Sequence, residues 1–196
     1  MNQIDRHARF EPAADAPLEA VQDAFLAWAE GRVGRHELAG GRITMMVGAS
    51  EGHAELMALI LAQLLGQVDR RSFLVTGAEL GVRTGAGVRY PDILVSQRTS
   101  ERKALAATDP VFIAEILSPS SLAIDMVEKA AEYTAMPSLA AYAVFAQDEA
   151  RAWIWERRDG RFPDKPDMIA GRDAVMTLEP IGAALRFDDL YAALEG

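Results

Sequence analysis

Residues 88–95 read VRYPDILV, residues 111–121 read VFIAEILSPSS, and residues 125–133 read DMVEKAAEY. Two apolar, strand-like runs each carry one acid: Asp92 at the start of the first, Glu115 inside the second. Lys129 follows on the next helical stretch. An ionised carboxylate inside an apolar strand is costly unless it is paired or bound to a metal. Asp92 and Glu115 are 23 positions apart, so two neighbouring strands can present them side by side. Oxygen-only ligands suit a hard ion, and Mg2+ typically takes one or two carboxylates plus water and phosphate oxygens. Such an ion relieves the repulsion between close carboxylates. It also stabilises charge on a phosphate and lowers the pKa of an attacking water. Two strand carboxylates followed by a lysine therefore point to a metal-dependent, phosphodiester-cleaving site.

The rest of the chain can be laid out around that stretch. Residues 1–17 read as a flexible leader rich in Ala, Pro and charge. Apolar Val21, Phe25, Leu26 and Trp28 recur at helical spacing over Leu18–Glu30. HELA and RITM flank Gly40-Gly41, a hairpin pattern with Glu37 in its first strand. Ser50 is an N-cap candidate for a helix through Leu56, Leu59, Ile60 and Leu64. Strands are expected at 73–76 and 79–83, then at 88–95, where Pro91 suggests an edge or a bulge. Residues 98–110 read as a polar connection and Val111–Leu117 as a central strand. A helix over 124–136 stops at Pro137, and strands at 140–145 and 152–156 pair across the Gln147-Asp148-Glu149 turn. Val175–Leu178 reads as a last short strand before a helix at 187–194. The order predicts an α/β or α+β domain over residues 18–196, with a mixed central sheet flanked by helices.

Composition narrows the setting. The 196 residues include no cysteine, which excludes disulfides and thiolate metal sites. No apolar run approaches the ~20 residues of a membrane span, so the expectation is a soluble, cytoplasmic protein with no membrane partner. The net charge of −9 argues against broad electrostatic capture of nucleic acid. A local basic groove is still compatible with Arg32, Arg35, Arg42, Arg70, Arg71, Arg83 and Arg89 in the first half.

HELAGGRI, SEGHAELMALI, VRYPDILV, FIAEILSPSS and DMVEKAAEYTAMPSLAAYAVF stand in this order over roughly residues 18 to 156. As an ordered set they resemble the PD-(D/E)XK nuclease superfamily and, more narrowly, its Uma-type restriction endonuclease family. The resemblance implies a restriction-endonuclease-like fold and hydrolysis of phosphodiester bonds in DNA by a metal-activated water. It implies Mg2+ (or Mn2+) as cofactor, ligated by Asp92 and Glu115. Glu37 would complete the acidic cluster or orient a metal-bound water. The position two after the second acid is Leu117, where the superfamily commonly has lysine. The Uma-type pattern places its lysine on the next helix, which Lys129 matches. DNA is the implied partner, and a homodimer would let two sites cut two strands.

Each residue also has a plainer reading. Asp92 could be a turn-forming Pro-Asp, and Glu115 could pair with Arg89 or Arg42. Lys129 could be an exposed helix lysine paired with Asp125 four residues earlier. Glu37 could be a surface strand residue. His53 reads as a cap or packing residue, with a proton carrier or phosphate contact as the alternative. Ser118, Ser120 and Ser121 read as turn and cap. Tyr133, four after Lys129, shares its helix face and could orient it. The alternative function is a catalytically inactive binding or assembly module built on the nuclease fold.

Overall fold

The computed structural model describes residues 10–13, 15–46, 48–118 and 124–194. Most of the expected leader, residues 1–9 and 14, lies outside that set, as does the Ser-Pro-Ser-Ser turn beyond Ser118. Helix α1 (Leu18–Ala29) leads into the hairpin β1 (His36–Ala39) and β2 (Arg42–Met45). Gly40 and Gly41 both have positive φ, 54° and 76°, as a two-residue turn matched to strand twist requires. Helix α2 (Glu51–Gln67) follows, and the Ser50 hydroxyl accepts from the His53 N–H at its start. Strands β3 (Phe73–Gly77), β4 (Gly81–Thr84), β5 (Gly87–Arg89), β6 (Ile93–Gln97), β7 (Ala106–Ala107) and β8 (Pro110–Ile116) come next. A π-helical turn (Ile124–Lys129) runs directly into α3 (Ala130–Thr134). The chain ends with β9 (Ala141–Phe145), β10 (Arg151–Glu156), β11 (Asp167–Ala170), β12 (Val175–Leu178), β13 (Ala183–Arg186) and α4 (Phe187–Leu190).

A six-stranded mixed sheet, β11-β10-β9-β8-β6-β3, forms the centre. Only its β8–β9 pair is parallel, joined through the π-turn and α3. Leu56, Ile60 and Leu64 of α2 pack on one face, against Ile93, Val95, Ala114 and Ile116. Ala130, Tyr133 and Met136 cover the other, against Leu94, Ile113, Tyr142 and Val144. Strand β8, buried along its whole length, lies between β6 and β9, as its apolar sequence predicts. A second sheet, β2-β1-β5-β4-β7, carries α1 through Phe25, Leu26, Leu38 and Val88. The architecture is α+β, with helices on both faces of the central sheet.

Several elements differ from the sequence expectation. Residues 88–95 are not one strand at an edge. The chain leaves the five-stranded sheet after Arg89, crosses at Tyr90-Pro91-Asp92, and enters the interior of the six-stranded sheet at Ile93. Pro91, lacking an N–H, sits where neither ladder needs one. The polar connection contains the two-residue β7, which adds to β4 in parallel. Val175–Leu178 is not the last strand, because it pairs with β13 as a separate hairpin. Strand β11, next to β10, has exposed or half-exposed side chains throughout, so no apolar alternation marks it. The helix after the serine turn is partly π rather than α.

Gly87 holds the second sheet together at close quarters. Its φ is 154°, and a Cβ there would lie 2.0 Å from the Leu38 carbonyl oxygen. Gly85, two residues earlier, has open space around it. Gly87→Ala is expected to lower the unfolding free energy by about 2 kcal/mol or more. Gly85→Ala is expected to stay within about 0.5 kcal/mol. Chemical denaturation of the two variants checks the contrast.

Candidate active site

The register between β6 and β8 sets the geometry of the site. Ile93 lies opposite Ala114 in this antiparallel pair. One step further places Asp92 opposite Glu115, and opposed residues of an antiparallel pair share a face. Asp92 Oδ2 accepts from the Ile116 N–H at 2.9 Å and lies 3.0 Å from His53 Nε2. His53 stands in the first turn of α2, held there by the Ser50 cap. The hydrogen bond to Asp92 raises the imidazole pKa, and the nearby charges of Asp92 and Asp125 add to it against the cost of burial and the repulsion of Arg35.

Glu115 is almost completely buried in β8. Its Oε1 lies 3.0 Å from Lys129 Nζ and accepts from the Tyr133 hydroxyl at 3.1 Å. Burial pushes the carboxyl up to about 8; the Lys129 charge pulls it back, and Asp92, Asp125 and Glu37 push it further up. Lys129 is only 7% exposed. Its ammonium also lies 3.1 Å from Asp125 Oδ1. Burial works against that ammonium, but Glu115, Glu37 and Asp125 outweigh it and raise its pKa. Lys129 is therefore a fixed cation at neutral pH. The i,i+4 ion pair with Asp125 is present as the plainer reading had it, but within the interior rather than on a helix surface.

His53, Asp92, Glu115, Asp125 and Lys129 line one cavity of about 330 Å3, with Arg35 among the other residues on its wall. Three of the four residues singled out in the sequence thus meet there. The fourth, Glu37, lies behind it. Its Oε2 accepts from Arg89 Nη1 at 3.2 Å and its Oε1 from the Tyr90 N–H at 2.9 Å. Arg89 also grips Glu132 of α3 through Nη2 at 2.5 Å and Nε at 3.0 Å. Glu37 and Arg89 thereby clamp the crossing segment that ends in Asp92. Two wall residues had only weak signals in the sequence. Asp125 showed itself only as an i,i+4 partner of Lys129, and His53 as a cap or packing residue with a proton carrier or phosphate contact as the alternative.

The donor set suits a hard divalent cation. His53 and the Ile116 N–H engage Asp92 through Oδ2, and Lys129 and Tyr133 engage Glu115 through Oε1, so each carboxylate has a second oxygen that these four partners do not use. No three His, Cys, Asp or Glu side chains among the described residues converge as a metal cluster. Two carboxylates can serve an ion that keeps water or phosphate oxygens in its other positions, as Mg2+ does.

The Uma2 family model, described as "Putative restriction endonuclease", matches residues 22–182. The chain belongs to the Uma2 family. Relatives of this Uma2 chain include two proteins of Synechocystis sp., both named as uncharacterized. The first, slr1290, is 24% identical over 188 residues, covering 93% of this chain and 96% of its own length. The second, sll1609, is 27% identical over 118 residues, covering 58% of this chain and 67% of its own. The crystal structure of a putative nuclease belonging to DUF820 from Anabaena variabilis matches with a TM-score of 0.68. It is 16% identical, and the match covers 88% of this chain and 98% of that one, so the two share their fold. No helix among the described residues is long and apolar enough to cross a membrane.

The pH dependence of the metal-free protein follows from two groups. Folded Glu115 keeps its proton up to about 8, whereas the unfolded side chain releases it near 4.5. Folded His53 likewise holds a proton above its ordinary 6.5. In both cases the folded state binds more protons, so stability falls as pH rises. Denaturation midpoints in EDTA are expected to drop between about pH 5 and 8, and Glu115→Gln is expected to flatten most of that slope.

Proposed function

We propose that this Uma2 domain, over residues 18–196, is a PD-(D/E)XK-type nuclease that hydrolyses phosphodiester bonds in DNA with Mg2+ or Mn2+. The observation that carries the reading is the pairing of Asp92 and Glu115 on one sheet face, beside a buried lysine, in a cavity open to a ligand. The family's description and the fold shared with the putative nuclease from Anabaena variabilis support it. A divalent ion bound there would supply Lewis-acid charge to the phosphate and acidify an attacking water.

The chain's own residues would do the rest. Asp92 and Glu115 would hold the ion. Lys129 would place a permanent positive charge beside the negative charge that develops on the phosphate. Glu37, through Arg89 and Tyr90, would fix the approach of Asp92 rather than touch the substrate. His53, on Asp92 Oδ2, would hold that carboxylate in one rotamer. Arg35 on the cavity wall would meet a neighbouring phosphate, which offsets the acidic net charge locally. Two copies related by a two-fold axis would place one such site on each strand of a duplex.

One observation favours a second reading. Without any ion, Glu115 is paired with Lys129 and Asp92 with His53. Carboxylates satisfied in this way could serve a non-catalytic binding or assembly module. Calorimetry with Mg2+ and Mn2+ separates the two. The nuclease reading expects binding that disappears in Asp92→Ala. It also expects Lys129→Met to keep metal binding while losing about a hundredfold or more in the rate of DNA cleavage. Absence of metal binding in the wild type would overturn the nuclease reading and leave the module.

A further inference from the structure

Asp125 is the most buried carboxylate in the cavity, 1% exposed, and none of the roles above uses it. The π-helical turn places it on the same inner side as Lys129, four residues on. Its backbone carbonyl accepts from the Tyr142 hydroxyl at 2.9 Å, and Tyr142 is itself stacked on Trp155. Asp125 is thus pinned from below by a rigid aromatic pair. Its Oδ1 lies 3.1 Å from the Lys129 ammonium, yet makes no hydrogen bond to any described group. Glu115, by contrast, shares the oxygen facing Lys129 with the Tyr133 hydroxyl. Lys129 therefore has two carboxylates within reach, one whose facing oxygen is already shared and one whose facing oxygen has acceptor capacity in reserve.

We propose that Asp125 is a positioning residue that takes over the Lys129 ammonium when a divalent cation occupies Glu115. This rests on the reading of Asp92 and Glu115 as metal ligands. An incoming cation occupies Glu115 and repels the ammonium beside it. Two like charges side by side in a partly screened site repel each other strongly. An ammonium this buried needs a carboxylate partner, so a second carboxylate must be at hand. Asp125 is at hand, fixed by its backbone and not spent on other donors through Oδ1. The exchange at Lys129 breaks no covalent bond: the ammonium shifts from one carboxylate oxygen to another. It also leaves Lys129 aimed into the cavity, where a phosphate would lie.

A double-variant cycle in Mn2+ calorimetry tests the inference on the full chain. Asp125→Asn keeps the shape of the side chain and removes its charge. Its Mn2+ affinity is expected to fall about tenfold or more, the effect of one unbalanced, partly screened charge. In the Lys129→Met background the same Asp125→Asn change is expected to alter affinity less than about threefold. Asp125→Glu is expected to recover most of the wild-type affinity. An equal loss in both backgrounds would mean that Asp125 attracts the metal directly, and would overturn the exchange. So would wild-type affinity in Asp125→Asn. If Asp125→Asn alone does not fold, restored folding in the double variant supports the inference, and failure of both overturns it. No Mn2+ binding in the wild type would overturn the nuclease reading and this inference together, whereas binding with a flat cycle overturns this one alone.

Discussion

A carboxylate in the middle of a central strand has to be neutralised, and much of this structure answers that requirement. Glu115 sits in β8 with apolar neighbours on both sides and sheet partners on both edges. Burial favours its protonated form, and the Lys129 charge opposes that. Lys129 and Tyr133 supply the compensation, and both come from the segment that immediately follows β8. The parallel β8–β9 connection therefore has two duties. It carries the chain over the sheet face, and it brings a cation and a hydroxyl to the carboxylate below. A regular helix would also put residues i and i+4 on one face. The π turn at its start sits where Asp125, Lys129 and the backbone bond to Tyr142 must all be met together.

The second acid reaches the same place by a different route. Asp92 is presented by a chain that changes sheets within three residues, from Arg89 to Ile93. Such a crossing has no ladder of its own to hold it. Glu37 supplies the missing acceptor for the Tyr90 N–H, and Arg89 ties Glu37 to Glu132 on α3. Thr84 adds its hydroxyl to the same Glu132 carboxylate at 2.9 Å. Breaking a buried pair of this kind costs about 3–5 kcal/mol, far more than a surface pair. The five-stranded sheet is thus tied to α3, which covers the central sheet, beside the segment that presents Asp92. The geometry of Asp92 depends on that network.

The parts of this arrangement that follow from short-range pattern were readable in the chain. The hairpin at Gly40-Gly41, the Ser50 cap, the apolar β8 and the strand pair across Gln147 each carry a local signature. Asp92, Glu115 and Lys129 stood out because charged residues interrupt apolar or helical pattern there. What was not readable depends on tertiary partners. The switch of sheets at Pro91 looks, in one dimension, like a bulge in a continuous strand. Glu37 looks like any strand glutamate until Arg89 is seen beside it. Strand β11 has polar and exposed side chains, and only the β10 edge explains it. His53 gave no sign that its Nε2 would meet Asp92, because 39 residues separate them.

The bond from the Ile116 N–H to Asp92 Oδ2 has a consequence of another kind. A strand amide ordinarily exchanges its hydrogen with solvent only when a neighbouring strand peels away. This one is held by a side chain instead. Its protection is therefore tied to the carboxylate's rotamer and not to the integrity of the sheet. The amide of Ile116 is a built-in spectator of the cavity: it senses rearrangement of Asp92 while the amides around it, locked in the ladder, stay silent.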